Sequence, residues 1–406
     1  MRSEIETLNM HTAPLTQITK QIAHQLEDGD YTPVTLLGKS GIGKTESIRD
    51  LAADLGIGFI ELRLSHYQES DLIGLPYIDA EGKTRHAVSD LLPDERDEGQ
   101  GILLLDEVTS APKSMRSAVY QLLDIGRRLG EYKLPGKWLV IACGNGPDDG
   151  GDFRGIEPAF LSRGFCWRVE ENLRVWKDWA VRHRVNPAVI AFLSFKPDML
   201  HVMDLDRPFD MIACPRNWAK LGGLLTNMEA RTSSGVIEDM NDLEFAADGC
   251  VGCQCGPAFT AFYEFKKNLI SPKDILDGKV PPSRMEEVSE EVLYLTAQSL
   301  VHEVRTLLGS DENGGFDADS PADTDSDNFD DLFDVNIDPA VLKKTANLFN
   351  WIIDVGEIVR LDMAVSILQD LSMAADVDLR PIVLADEFDE LCPRFAAFSR
   401  ENYIIL

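Results

Sequence analysis

Gly38-Lys39-Ser40-Gly41-Ile42-Gly43-Lys44-Thr45 is the stretch from which the rest of the 406-residue chain can be read. An apolar run, Val34-Thr35-Leu36-Leu37, precedes it. Ile48, Leu51, Ala52 and Leu55 follow at helical spacing until Gly56. Strand, glycine-rich turn and helix, with Gly-x4-Gly-Lys-Thr across the junction, is the pattern of a phosphate-binding loop. The glycines let backbone N–H groups close around a phosphate, and the helix N-terminus adds a favourable dipole. Lys44 would reach the β- and γ-phosphates, and the Thr45 hydroxyl would bind Mg2+. Gly38, Ser40, Gly41, Ile42, Gly43 and Glu46 complete the expected nucleotide cradle.

Composition limits what such a loop serves. The chain is 44% hydrophobic and 27% charged, the make-up of an ordinary globular protein, and long enough for two or three domains. Its 69 acidic residues against 39 basic ones give a formal net charge of -30. That balance disfavours broad contact with a nucleic-acid backbone unless a local basic patch overcomes the mean field. No apolar run approaches the ~18 residues of a membrane helix. The first residues, Met1-Arg2-Ser3-Glu4-Ile5-Glu6, lack the features of a signal peptide. Seven cysteines, an odd number, argue against a disulfide framework, so the expected setting is the reduced cytoplasm.

Outward from the loop, residues 1–32 read as helical, with Leu15, Ile18, Ile22 and Leu26 on one face. Phe59–Leu64 reads as a second strand. Ile73–Ile78 and Lys83–Val88 flank the turn Asp79-Ala80-Glu81-Gly82 as a short hairpin. Ile102-Leu103-Leu104-Leu105 has the continuous apolar character of a strand buried on both faces of a parallel sheet. It ends in Asp106-Glu107, at the end of the sheet where ligands bind. There Asp106 would hold the Mg2+ shell and Glu107 would orient the attacking water. Pro112 opens a helix with Met115, Ala118, Val119, Leu122 and Leu123 inward, and Arg128–Lys133 reads as a tight hairpin. Trp138–Ala142 is another buried strand, which puts Asn145 at its C-terminal end. Pro158–Arg163 is a short helical stretch ending in a cation, and Cys166–Val169 is a last strand.

The alternation of strand and helix to about residue 171 defines an α/β domain with a mostly parallel sheet. Helical pattern takes over from 172 to 272, where Cys214-Pro215-Arg216-Asn217-Trp218 begins one helix. Residues 273–406 read as a helical C-terminal region interrupted by a disordered acidic loop over 310–334. Cys250, Cys253 and Cys255 lack a second spaced pair, so they read as packing residues rather than a zinc site.

The order of these signals resembles that of AAA+ ATPases, and in detail the MoxR group among the helix-2-insert members. The matching motifs are the phosphate loop, SDLIGLP at 70–76, ILLLDE ending at Glu107, TSAP at 109–112, ACGNG at 142–146, PAFLSR at 158–163 and CPRNW at 214–218. The resemblance covers roughly 30–272. It implies an AAA+ P-loop domain with a central parallel sheet, then an α-helical lid and a helical extension. It also implies Mg2+-dependent ATP hydrolysis in a closed ring, expected to be a hexamer, with Lys44 and Glu107 catalytic. Asn145 would be the first sensor, Arg163 a finger reaching a neighbouring subunit's γ-phosphate, and Arg216 the second sensor. One departure is Gly164, which separates Arg163 from Phe165 where the family has Arg-Phe directly. No guanine-reading Asn-Lys-x-Asp is present, which favours ATP.

Members of the group act as chaperone-like remodellers, often beside a partner with a von Willebrand factor A domain. A protein substrate is therefore the expectation. The competing readings are a nucleic-acid motor, supported by Lys83, Arg85, Arg127, Arg128, Lys133 and Lys137 near the hairpins, and a nucleotide-gated scaffold, which an intact Glu107 argues against.

Overall fold

A computed structural model describes residues 10–94, 96–147, 149, 153–156, 158–203, 211–308, 338–372, 379–383 and 386–401. The acidic stretch expected over 310–334 lies outside them. The described chain forms two compact units, one running to Val175 and one from Trp176 onward.

In the first unit the strands are β1 (Thr12–Pro14), β2 (Val34–Leu37), β3 (Gly58–Arg63), β4 (Pro76–Ile78), β5 (Thr84–His86), β6 (Gly101–Asp106), β7 (Arg128–Leu129), β8 (Tyr132–Lys133), β9 (Trp138–Gly144) and β10 (Phe165–Glu170). Six of them make one sheet in the order β1-β10-β2-β9-β6-β3, and every pairing in it is parallel. Helices α1 (Leu15–Glu27), α2 (Lys44–Asp54), α3 (Glu69–Ile73), α4 (Lys113–Leu123) and α5 (Pro158–Leu161) connect them.

Side chains alternate across the sheet as the period of a strand demands. Leu103, Leu105, Val140 and Ala142 pack in one core with Met115, Val119 and Leu122 of α4. Ile102, Leu104, Leu139 and Ile141 pack in another with Ile18 and Ile22 of α1 and Ile48 of α2. Both faces are covered, which is why β6 and β9 read as unbroken apolar runs. The apolar faces expected of α1 and α4 are the buried ones.

The helix expected over residues 1–32 is shorter at both described ends: it stops at Glu27, so 28–32 are not helical, and residues 1–9 lie outside the described ones. Thr12–Pro14 is not helical but a short strand on β10, with Thr12 opposite Arg168 and Pro14 opposite Glu170. Proline at the end of an edge strand loses no interior ladder bond, so the helix begins only at Leu15.

Both hairpins form. β4 pairs with β5 through a turn tied by Asp79, whose carboxylate accepts from the Lys83 and Glu81 amides and from Arg85. β7 pairs with β8 around Gly130-Glu131. Positive φ at Gly130 (61°), with none at Glu131, fits the type II′ turn that a right-twisted hairpin favours.

The second unit is helical. It contains α7 (Pro187–Phe195), α8 (Pro215–Glu229), α9 (Met240–Val251), α10 (Gly256–Tyr263), α13 (Glu290–Leu308), α14 (Pro339–Ile358) and α15 (Leu361–Ser372), with α6 (Leu173–Arg182) leading into it. The short helices α11 (Pro272–Leu276) and α12 (Ser283–Glu286) lie between α10 and α13. Phe192, Trp218, Phe259 and Phe262 form its aromatic centre. Lys177 of α6 and Asp370 of α15 make a buried ion pair of 2.8 Å, to which Gln298 of α13 also donates. No described helix is long and apolar enough to cross a membrane.

Candidate nucleotide site

At the end of β2 the chain enters the loop with Gly41 at φ 77° and Gly43 at φ 97°. Residues with a Cβ rarely adopt these left-handed values, so the loop needs glycine there. Gly43 is the N-cap of α2 and has no side chain with which to cap it. Lys44 is 8% exposed, and its ammonium donates to the carbonyls of Gly38 (2.7 Å) and Lys39 (2.8 Å). Lys39 in turn pairs with Glu171 at 2.6 Å.

Register explains why residues 61 apart in sequence meet. Leu36 lies opposite Cys143, Leu105 opposite Ala142 and Arg63 opposite Asp106, so β2, β9, β6 and β3 end at one level. The Thr45 hydroxyl donates to Asp106 Oδ2 at 3.0 Å, while Asp106 Oδ1 accepts the amide of Glu107 at 2.8 Å. Two hard oxygen donors side by side, next to a phosphate loop, suit Mg2+, which binds through one or two protein oxygens plus phosphates. The donor set fits the ion.

Glu107 has φ 57°, left-handed for a residue with a side chain. Such a conformation costs on the order of 1–3 kcal/mol and persists only where surroundings impose it. Here the Glu107 carbonyl accepts the amides of Ser110 and Ala111, and the Val108 amide donates to Cys143. The carboxylate accepts a hydrogen bond from Ser65, and Arg63 Nε faces it at 3.6 Å. Neither Arg63 nor Ser65 is among the residues expected from sequence. Only the break from apolar to polar at Glu61-Leu62-Arg63, level with Asp106, could have pointed to them.

Asn145 follows the last residue of β9. Its amide donates to Thr109 Oγ1 (2.9 Å), and the next amide, of Gly146, donates to Asp149 Oδ2 (2.7 Å). Arg163 follows α5. Its Nε meets Asp124 at 2.8 Å, one guanidinium nitrogen donates to the Ala159 carbonyl, and the group lies 5.5 Å from the Tyr120 ring centroid. The inserted Gly164 has a steric cause, since a Cβ there would come within 1.9 Å of the Pro33 carbonyl oxygen.

The site thus brings Lys44, Thr45, Asp106 and Glu107 together, with Asn145 on the neighbouring strand end. Arg216 belongs to the second unit, exposed in the first turn of α8 behind Pro215. A cation there opposes the helix dipole, which is unfavourable by ~0.3–1 kcal/mol. Its position is therefore not explained by helix stability.

Two of the six cations near the hairpins, Arg85 and Arg127, are engaged internally. Arg127 donates to the carbonyls of Gly136 and Trp138. Burial pulls its pKa down from the usual guanidinium value. Arg85 pairs with Asp79 (3.1 Å) and with Glu131 of the other hairpin (3.6 Å). The first hairpin instead exposes Leu75, Tyr77, Ile78 and Val88.

A parallel sheet covered on both faces, a glycine loop feeding a helix, and a threonine–aspartate pair at the strand ends define a P-loop nucleoside triphosphatase fold. Residues 33–164 match the family model described as AAA domain, dynein-related subfamily. This segment is an AAA ATPase domain, and the chain as a whole is α/β with a helical C-terminal region.

Solved structures give weaker likenesses. RuvB of Thermotoga maritima, as a point mutant, is 12% identical over 74% of this chain and 83% of its own, with a TM-score of 0.36. NtrX of Brucella abortus, solved with ADP, is 17% identical over 52% of this chain and 48% of its own, with a TM-score of 0.31. These likenesses are too low to carry an argument about activity.

Proposed function

We propose that the protein hydrolyses ATP with Mg2+ as an oligomeric ring of the MoxR kind and uses the energy to remodel a protein partner. The observation that carries the hydrolytic part is the 3.0 Å contact between Thr45 and Asp106, with Glu107 on the next residue. Thr45 and Asp106 would hold Mg2+, which when bound neutralises phosphate charge and orients the γ-phosphoryl group. Lys44 leaves the loop carbonyls for the β- and γ-phosphate oxygens, where its charge is better matched. The loop amides and the first turn of α2 cradle the phosphates, with Gly38, Ser40, Gly41, Ile42, Gly43 and Glu46 lining that cradle.

Glu107 accepts a hydrogen bond from the attacking water and aims its lone pair at phosphorus. Ser65 and Arg63 hold its carboxylate until then. Asn145 is the water's second partner. Arg163, released from Asp124, supplies positive charge to a neighbouring subunit's γ-phosphate, and Arg216 reports nucleotide state to the lid. An arginine finger given in trans makes turnover depend on the ring, and such a finger contributes about 10³–10⁵ in rate.

Support for a protein rather than a nucleic acid as the substrate comes from the hairpins. The first hairpin and its flanks expose Leu75, Tyr77, Ile78 and Val88, while Arg85 and Arg127 are tied up internally. The net charge of -30 points the same way. ATPase assays with added DNA, RNA or an unfolded model protein test this reading. Stimulation by the polypeptide alone is expected. Strong stimulation by nucleic acid that fades as salt rises would establish the motor instead.

A further inference from the structure

Asn145 sits between two glycines, and each admits one buried side chain against the backbone. A Cβ on Gly144 would lie 2.7 Å from the Thr109 hydroxyl and methyl, and one on Gly146 would lie 2.6 Å from Asp149 Oδ2. Through these gaps Thr109 accepts the Asn145 amide and Asp149 accepts the Gly146 amide. Thr109 is fully buried and Asp149 is 2% exposed. Neither acceptor is free to wander, because Arg168 of β10 donates to Asp149 Oδ1 at 2.6 Å and the Arg154 amide donates to the Thr109 carbonyl at 2.9 Å. Thr109 is also two residues past Glu107, on the turn that fixes that residue's left-handed backbone.

We propose that Thr109 and Asp149 are positioning residues for Asn145, clamping the two amides around it so that its side chain meets the water held by Glu107. The proposal rests on the reading of Asn145 as the water's second partner. A clamp is needed because a small displacement of a positioning group costs rate without touching nucleotide affinity. Asp149 contributes more than a neutral acceptor could, since its second oxygen is committed to Arg168. The Asn145 turn is thereby tied to β10, the strand that begins two residues after Arg163.

The decisive variant is Thr109→Val, which keeps shape and burial and removes only the acceptor. Loss of one such hydrogen bond should lower kcat about tenfold, while the Kd for a fluorescent ATP analogue stays within about twofold. Thr109→Ser, which restores the hydroxyl, should recover most of the loss. The double variant Thr109→Val with Asn145→Ala should be no slower than Asn145→Ala alone, because both remove the same function. Asp149→Asn, which keeps an amide acceptor and loses the ion pair, should show the same split between kcat and affinity.

Unchanged kcat in Thr109→Val beside a slowed Asn145→Ala would overturn the clamp and leave the role of Asn145 standing. Full turnover in Asn145→Ala would remove the reading of Asn145 and the clamp with it. Equal losses of affinity and kcat in Thr109→Val, with a lowered melting temperature, would reduce Thr109 to a packing residue and also overturn it.

Discussion

Replacing Gly164 with alanine puts one methyl group where the backbone leaves no room. The new Cβ would stand 1.9 Å from the Pro33 carbonyl oxygen and 2.7 Å from its carbon, both closer than the 3.0 Å that real Cβ contacts respect. No side chain can yield, because the obstacle is backbone. That same carbonyl accepts the Phe165 amide at 2.9 Å, just before Val34 and Phe165 take up the β2–β10 register. Relief therefore means prising apart the start of two paired strands. Overpacking of this kind costs ~1–3 kcal/mol and the lost hydrogen bond ~1 kcal/mol, so a destabilisation of about 2–4 kcal/mol follows. For a unit of this size that lowers Tm by roughly 5–15 °C.

Differential scanning calorimetry and urea unfolding measure the change. Gly126→Ala is the control, since nothing lies within 4 Å of a Cβ at that position. Because Arg163 directly precedes the displaced residue, ring ATPase should fall even at temperatures where the variant is folded. A Gly164→Ala protein as stable as the Gly126→Ala control would refute the steric account of this departure from the family pattern.

Lys44→Ala and Arg163→Ala proteins should each be inactive alone, yet mixing them under subunit exchange should restore part of the ATPase. Failure to restore it in demonstrably mixed rings would end the trans assignment. Thiol labelling at pH 8 should modify exposed Cys253 first. Buried Cys255, its thiol pushed up to about 11 by burial, and Cys143, raised well above the ordinary thiol range by burial, should react only on unfolding. Mass mapping of the labelled sites checks the order, and early labelling of Cys143 would contradict the packing of β9.

Where chemistry is carried by neighbours in sequence, the chain could be read directly. The phosphate loop is contiguous, and the run ending in Asp106-Glu107 announces a buried strand and its C-terminal end together. Helix faces were legible for the same reason, as with Met115, Val119 and Leu122, which recur at the helical period. Contacts that depend on register were not. Ser65 meets Glu107 across 42 residues and Thr109 meets Asn145 across 36, and nothing local in the sequence marks either pair. Thr12–Pro14 was absorbed into the following helix because three residues are too few for alternation to show. Gly164 was visible as a departure, but its cause, the Pro33 carbonyl, is a neighbour only in the folded sheet.

In the proposed reaction Lys44 binds phosphate while Glu107 acts on the water. ATP binding and steady-state hydrolysis measured side by side on Glu107→Gln and Lys44→Ala test it most directly. Glu107→Gln should bind ATP within a few-fold of the parent affinity and lose at least ~10²-fold in turnover, as expected when a group acting on the attacking nucleophile is removed. Lys44→Ala should lose both binding and turnover. Undiminished hydrolysis by Glu107→Gln, with ATP still bound, would contradict the account.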